Sequence, residues 1–202
     1  MTTAAILLAA GESSRFEGRP KALLAAGPRS AVRRLIDISI DAGFDPVVVV
    51  VGAHRGPIAH EVRDLPVDLV DCARWYEGRT ASIQSGLEAV PEDRDVLLWP
   101  IDHPFVSART VETLVAVAPT DPLAVWFIPT YGGQGGHPVL WRSSLRREIL
   151  DLRSDAPVRS LLPELGPQVR RVPVDDPGVV ANVDTPEAYR NAYDIWLDLG
   201  EE

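Results

Sequence analysis

Ala4-Ala5-Ile6-Leu7-Leu8-Ala9-Ala10-Gly11-Glu12-Ser13-Ser14-Arg15, followed closely by Lys21-Ala22-Leu23-Leu24, decides how the rest of this chain is read. The apolar run from Ala4 to Leu8 reads as a strand. Small residues then turn the chain, and a helical pattern begins near Ser30. A small-residue turn at the carboxyl end of a first strand lets backbone N–H groups approach a phosphate closely. Arg15, Arg19 and Lys21 add three cations to the same loop of an otherwise acidic chain. Exposed amides with positive side chains suit a triphosphate. A solvated loop with incidental charges is the plainer alternative, and the loop alone leaves both open. Two rival motifs fail. Gly11-Glu12-Ser13-Ser14-Arg15-Phe16 lacks the G-x-G-x-x-G of dinucleotide sites, and Gly18-Arg19-Pro20-Lys21-Ala22 lacks the spacing and hydroxyl of a P-loop.

Outward from that loop, apolar β-branched runs alternate with helix-period segments. Strands are predicted over residues 3–8, 46–51, 67–71, 95–100, 124–129, 138–141 and 168–174. Helices are predicted over residues 30–42, 55–63, 80–90, 107–118, 143–151, 156–165 and 185–198. The run at 46–51 is apolar on both faces, as a buried parallel strand should be. Ser30 and Ser107 are candidate N-caps, and Gly43 a candidate helix terminator. Alternating βα units imply an α/β fold with a doubly wound, mostly parallel sheet, in one domain over residues 1–202. Ligands in such sheets bind beyond the carboxyl ends of the strands.

The 202 residues carry 46% hydrophobic and 24% charged side chains, enough for a sizeable core. A net charge of −9 argues against a general nucleic-acid binder. Cys72 is the single cysteine, so no intramolecular disulfide can form, which fits a reducing cytoplasm. No basic segment precedes the first apolar run, so no signal peptide is expected. No run reaches the roughly 18 apolar residues of a membrane span, and no membrane partner is expected.

Four further segments carry chemistry. In Trp99-Pro100-Ile101-Asp102-His103-Pro104 an acid appears as a buried strand ends, well placed to hold Mg²⁺, although an Asx turn explains it equally. In Asn182-Val183-Asp184-Thr185-Pro186-Glu187, Asp184 or Thr185 would cap the last helix, with Pro186 in its first turn. Asp184 could also supply a second metal ligand, with Asn182 nearby. Gly78-Arg79-Thr80-Ala81-Ser82-Ile83-Gln84-Ser85-Gly86 enters a helix through small hydroxyl residues that could receive a base or ribose; a tightly packed helix start is the alternative. Tyr131-Gly132-Gly133-Gln134-Gly135-Gly136-His137-Pro138 is an acceptor loop or a plain hairpin tip. His137 and His103 are read first as structural, and no His/Cys spacing suggests zinc.

Taken in order, these segments resemble the MobA-like nucleotidyltransferases, nearest to the molybdenum cofactor cytidylyltransferases. The family opening, L-A-(A/G)-G-x-S-x-R and then K-x-L-L, is matched by Leu8-Ala9-Ala10-Gly11-Glu12-Ser13-Ser14-Arg15 and Lys21-Ala22-Leu23-Leu24. Asp102 and Pro104 match its metal-binding segment. Gly133-Gln134-Gly135-Gly136-His137-Pro138-Val139-Leu140 matches G-x-x-G-H-P-V-L. Asn182-Val183-Asp184-Thr185-Pro186-Glu187 matches D-I-D-T-P-E. Ile101, Asn182 and Ala188 depart from the pattern.

The resemblance implies a Rossmann-like, GT-A-like three-layer sandwich and Mg²⁺-dependent transfer of a nucleotide from an NTP to a phosphorylated acceptor, releasing pyrophosphate. Arg15 and Lys21 would be catalytic. Leu8, Ala9, Ala10, Gly11, Glu12, Ser13, Lys21, Thr80, Ser82 and Asp102 would bind the nucleotide. Asp102 and Asp184 would hold Mg²⁺, and Gly135, Gly136 and His137 would meet the acceptor. Ala10, where guanylyl-transferring members carry a second glycine, favours CTP over GTP. Molybdopterin fits the nearest relatives as acceptor, and a molybdoenzyme maturation partner would follow from it. A sugar or polyol phosphate is the alternative acceptor. A non-catalytic nucleotide-binding regulator on the same fold, and a nicotinamide-dependent oxidoreductase, are the readings from other classes.

Overall fold

The computed structural model describes residues 3–200, so the first two and last two residues of the expected domain lie outside the described residues. Strand β1 (Thr3–Ala9) is buried from its second residue onward. A small hairpin, β2 (Ala25–Ala26) and β3 (Arg29–Ser30), follows the phosphate-loop candidate and leads into helix α1 (Ala31–Asp41). Then come β4 (Val47–Val51), α2 (Arg55–Val62), β5 (Asp68–Asp71), α3 (Arg79–Ala89), β6 (Asp95–Pro100) and α4 (Ala108–Val117). The last third holds β7 (Trp126–Tyr131), β8 (Gln134–Gly135), β9 (Val139–Trp141), α5 (Arg146–Leu150), α6 (Leu162–Leu165), β10 (Val169–Pro173) and α7 (Pro186–Asp198).

The main sheet runs β10-β7-β9-β6-β1-β4-β5, with β8 pairing β7 outside that path. β1 is parallel to both β4 and β6, and β9 lies antiparallel between β6 and β7. The chain leaves β1 toward β4 and β5, then returns past β1 to β6. That reversal puts the topological switch point at the carboxyl ends of β1 and β6, where α/β sheets leave a crevice.

The alternation of β1 explains the layers. Ala5, Leu7 and Ala9 face one core with Leu35 and Ile36 of α1, Ile58 of α2 and Leu114 of α4. Ala4, Ile6 and Leu8 face the other core with Ile83 and Leu87 of α3 and Ile149 of α5. Two apolar faces with helices on each make the expected three-layer sandwich. Gly86 lies where α3 crosses β1; a Cβ there would meet Ile6 Cγ2 at 2.6 Å.

Ser30 and Ser107 cap α1 and α4, their hydroxyls accepting from Arg33 N and Thr110 N. Two predicted helices shrink. Residues 156–165 form a 3₁₀ turn, Val158–Leu161, and the four-residue α6, because Pro157 and Pro163 cannot donate backbone hydrogen bonds. Residues 143–151 open with a 3₁₀ turn before α5. A third cluster binds the site loops to the last helix. Phe16, from the phosphate loop, and Phe105, from the loop after Asp102, join Val183, Ala192 and Trp196. The Phe105 and Trp196 rings stand 5.6 Å apart. Among the described residues, no helix is long and apolar enough to cross a membrane.

Candidate functional site

A cleft of about 250 Å³ opens at the switch point. Its walls include Leu8, Ala9, Ala10, Gly11, Ser13 and Lys21 from the first loop, Ser82 from α3, and Asp102 and Asp184. Segments far apart in sequence therefore meet where the topology predicts a ligand. Arg15 sits at the rim, 3.9 Å from Asp184 Oδ2.

The loop is shaped by its own backbone. Ser13 is left-handed at φ 54°, and its carbonyl accepts from Phe16 N at 2.8 Å. Ser13 Oγ accepts from Lys21 N at 3.0 Å, tying both ends of the loop together. A Cβ on Gly11 would meet no protein atom within 4 Å, so its glycine leaves open space beside the backbone. The amides of Gly11, Glu12 and Ser13 donate to no protein acceptor among the described residues. Outside the loop, the His54 ring bonds the Glu12 carbonyl at 2.6 Å. Glu12 itself lies off the cleft lining.

The two carboxylates reach the cleft by different routes. Asp102 follows β6, and its side chain is only 7% exposed. Ile101 N donates to the Leu8 carbonyl at 3.0 Å, continuing the pairing of β1 and β6 past their ends. Asp102 Oδ1 accepts from His103 Nδ1 at 2.8 Å, and Oδ2 accepts from Arg79 at 3.0 Å. Burial works against the Asp102 charge. The His103 hydrogen bond and the electrostatics of His103, Arg79 and Lys21 outweigh it and hold the carboxyl well below the usual range.

Asp184 precedes α7. Thr185, not Asp184, caps that helix, its hydroxyl accepting from Ala188 N at 3.1 Å. The Asp184 carboxylate is thus left for the cleft, where Lys21 Nζ donates to Oδ1 at 2.6 Å. Val183 N donates to the Asp102 carbonyl at 2.8 Å, which fastens one acidic segment to the other. Asn182 does not line the cleft. Both acids are hard oxygen donors. Among the described residues no three acidic, imidazole or thiol groups gather for a metal. Two carboxylates suit Mg²⁺, which completes its shell with phosphate oxygens and water.

Other expected residues lie elsewhere. The Thr80 hydroxyl is buried and donates to the Ala156 carbonyl at 2.5 Å, away from the cleft. Gln84 spends its amide on the carbonyls of Ile149, Leu150 and Leu152. Gly135 is exposed in β8. Gly136 packs under another loop: a Cβ there would stand 1.9 Å from the Val179 carbonyl oxygen. His137 has its Nδ1 buried without a partner, and its ring lies 5.0 Å from that of His103. Burial and the neighbouring His103 push its pKa down to about 3.

Sequence reasoning left Arg79 and Trp75 without roles, although both line the cleft. Arg79 stood in the quoted helix entry, but nothing local said that its guanidinium would turn toward Asp102. Trp75 rests against the turn after β4, where a Cβ on Gly52 would meet its ring at 2.6 Å.

A family model for the MobA-like NTP transferase domain matches residues 5–172. The chain belongs to this family. It is 32% identical over 155 residues to a molybdenum cofactor guanylyltransferase from Rhodopseudomonas palustris (strain HaA2), covering 74% of this chain and 68% of that protein. It is 30% identical over 110 residues to a nicotine blue oxidoreductase from Paenarthrobacter nicotinovorans. That match spans 54% of each protein, about half the length of the relative. The MobA-like fold superposes on a nucleotidyl transferase from Methanothermobacter thermautotroptrophicus with TM-score 0.82, at 22% identity over 98% of this chain and 99% of that one. It also superposes on Rv0371c of Mycobacterium tuberculosis H37Rv in complex with manganese, with TM-score 0.76, at 24% identity over 96% and 99%. Guanylyltransferases and an oxidoreductase are thus among the relatives, and of the expected nearness to cytidylyltransferases only the broader membership of the MobA-like family is shown.

Proposed function

We propose that this chain is a nucleotidyltransferase that moves a nucleoside monophosphate, CMP before GMP, from an NTP to a small phosphorylated acceptor in the cytoplasm. The observation that carries the reading is the meeting of the Gly11 loop, Lys21 and two carboxylates at one switch-point cleft. An acceptor phosphate oxygen would bond the α-phosphorus as the bond from that phosphorus to the pyrophosphate oxygen breaks. Such a reaction needs positioning and charge more than covalent help. The amides of residues 11–13 and Arg15 would hold the β- and γ-phosphates. Lys21 would stand beside the α-phosphate and the leaving group. Asp102 and Asp184 would hold a divalent ion, Mg²⁺ in this reading, which when bound supplies positive charge to the phosphate oxygens. The manganese complex of a structural relative supports a divalent ion in this fold. Ser82 and Trp75 would flank the sugar and base.

Ala10 carries a methyl on the cleft wall, which supports a pyrimidine base. The similarity to a guanylyltransferase supports GTP as the second reading, and a pterin phosphate as acceptor ahead of a sugar phosphate. The similarity to an oxidoreductase raises a nicotinamide reading, against which the missing glycine fingerprint counts. Melting shifts with CTP, GTP, UTP, ATP and NADPH, each with and without Mg²⁺, separate these. Stabilisation by an NTP that depends on Mg²⁺ supports transfer chemistry, and stabilisation by NADPH alone overturns it. A pyrophosphate-release screen against molybdopterin and sugar phosphates then identifies the acceptor.

A further inference from the structure

The two oxygens of Asp102 have different partners. Oδ1 meets His103 Nδ1 at 2.8 Å, with both side chains almost fully buried, at 7% and 6% exposure. A carboxylate cannot donate, so His103 Nδ1 carries the proton and donates it. The imidazole has little freedom to leave. His103 N donates to the Pro100 carbonyl at 3.1 Å, and Trp99 Nε1 donates to the His103 carbonyl at 3.0 Å. The His137 ring stands 5.0 Å from the His103 ring, tilted by 60°. Oδ2 instead meets Arg79, whose side chain is 55% exposed and reaches in from the first turn of α3. One partner is fixed and the other can be exchanged.

We propose that His103 is a positioning residue that pins Oδ1 so that Oδ2 faces the cleft, and that Arg79 guards Oδ2 until a metal–nucleotide complex replaces it. This rests on the reading of Asp102 as a metal ligand. The ion and the guanidinium compete for one oxygen. When the ion takes it, Arg79 is released within reach of the incoming phosphates and can bond one of their oxygens. Arg79 therefore has opposite effects on the two ligands: it opposes the bare ion and favours the nucleotide. Hydrogen bonding to a ligating carboxylate also fixes which of its oxygens is presented, the part that outer-sphere partners play at metal sites.

The test is Mn²⁺ binding to the nucleotide-free protein by calorimetry, with melting curves to certify each fold and NTP kinetics in parallel. His103→Leu, which fills the space without a donor, should weaken Mn²⁺ about 10-fold. His103→Asn places an N–H donor where the ring Nδ1 stood and should stay near wild type. Arg79→Gln should tighten Mn²⁺ roughly 3–10-fold, since a pair with one exposed and one buried partner lies between a surface ion pair and a buried charged hydrogen bond, while raising the KM for NTP. Wild-type affinity in His103→Leu, or equal weakening by Leu and Asn, overturns the pin. Weaker Mn²⁺ binding in Arg79→Gln overturns the guard. Asp102→Asn tests the underlying reading separately: Mn²⁺ binding unchanged by it removes the metal from this residue, whatever the other variants do.

Discussion

Asp102 and Asp184 share one cleft but are held in opposite ways. Asp102 is sealed at 7% exposure, while Asp184 is 45% exposed and pairs with the largely buried Lys21 at 2.6 Å and the exposed Arg15 at 3.9 Å. Burial makes the first carboxylate costly to leave unpaired, so its surroundings must be built in: His103 and the β1–β6 register, with the half-exposed Arg79 across the remaining oxygen. Exposure makes the second cheaper to unpair, and its surface pair with Arg15 is worth only about 0.2–1 kcal/mol. A site that must take in a charged ligand benefits from one fixed acid and one that yields.

Substitutions at the two acids and at Lys21 should differ in the size of their effects. Asp102→Asn should cost most, about 10³-fold in kcat/KM by pyrophosphate release, because the neutral amide cannot offset the charge held there. A loss under 10-fold would deny the fixed acid its importance. Lys21→Met should cost about 10²-fold in the same assay, the scale of one lost phosphate-stabilising charge. Its melting temperature should fall only modestly, since Asp184, the partner left behind, is 45% exposed and can be solvated. Asp184→Asn should cost about 10-fold and be partly recovered at high Mg²⁺, as befits the yielding ligand. Equal, unrecoverable losses at Asp102 and Asp184 would erase the distinction.

Stability should follow the buried side. Gly136→Ala forces the loop off the Val179 carbonyl and should destabilise by about 1–3 kcal/mol in denaturant titration. His137, beside His103, adds a pH signature. Its pKa is about 3 in the fold against 6.5 for the free side chain. The unfolded chain therefore binds the extra proton first. The stability this group contributes is complete above pH 6.5 and is lost progressively as pH falls toward 3. His137→Gln should flatten the melting temperature over that window. An unchanged slope would show that His137 titrates freely.

Much of this was legible in sequence because the chemistry sits where apolar runs stop. Leu8 to Lys21 and Asp102 both follow buried strands, and βα alternation alone puts strand ends on one edge. Asp184 was legible as a cap or a ligand, and Thr185 took the capping role. Arg79 and Trp75 were not legible, because their aim depends on how the segment after β5 crosses the end of β1. Thr80 misled for the same reason: a hydroxyl at a helix entry looks available until the Ala156 carbonyl arrives from a distant segment. The glycine run at 132–136 left an acceptor loop and a plain hairpin tip open; β7 and β8 pair across it as a hairpin, and Gly136 is required by close packing. The helix expected over 156–165 failed locally, at Pro157 and Pro163.

Phosphate labelling follows the transferred nucleotide itself. The protein would be incubated with Mg²⁺, acceptor and CTP or GTP labelled at either the α- or the γ-phosphate. Label from the α-phosphate is predicted to appear on the acceptor, and label from the γ-phosphate in pyrophosphate. Label from the γ-phosphate on the acceptor, or product formed at the expense of NADPH with both NTPs intact, would rule out nucleotide transfer.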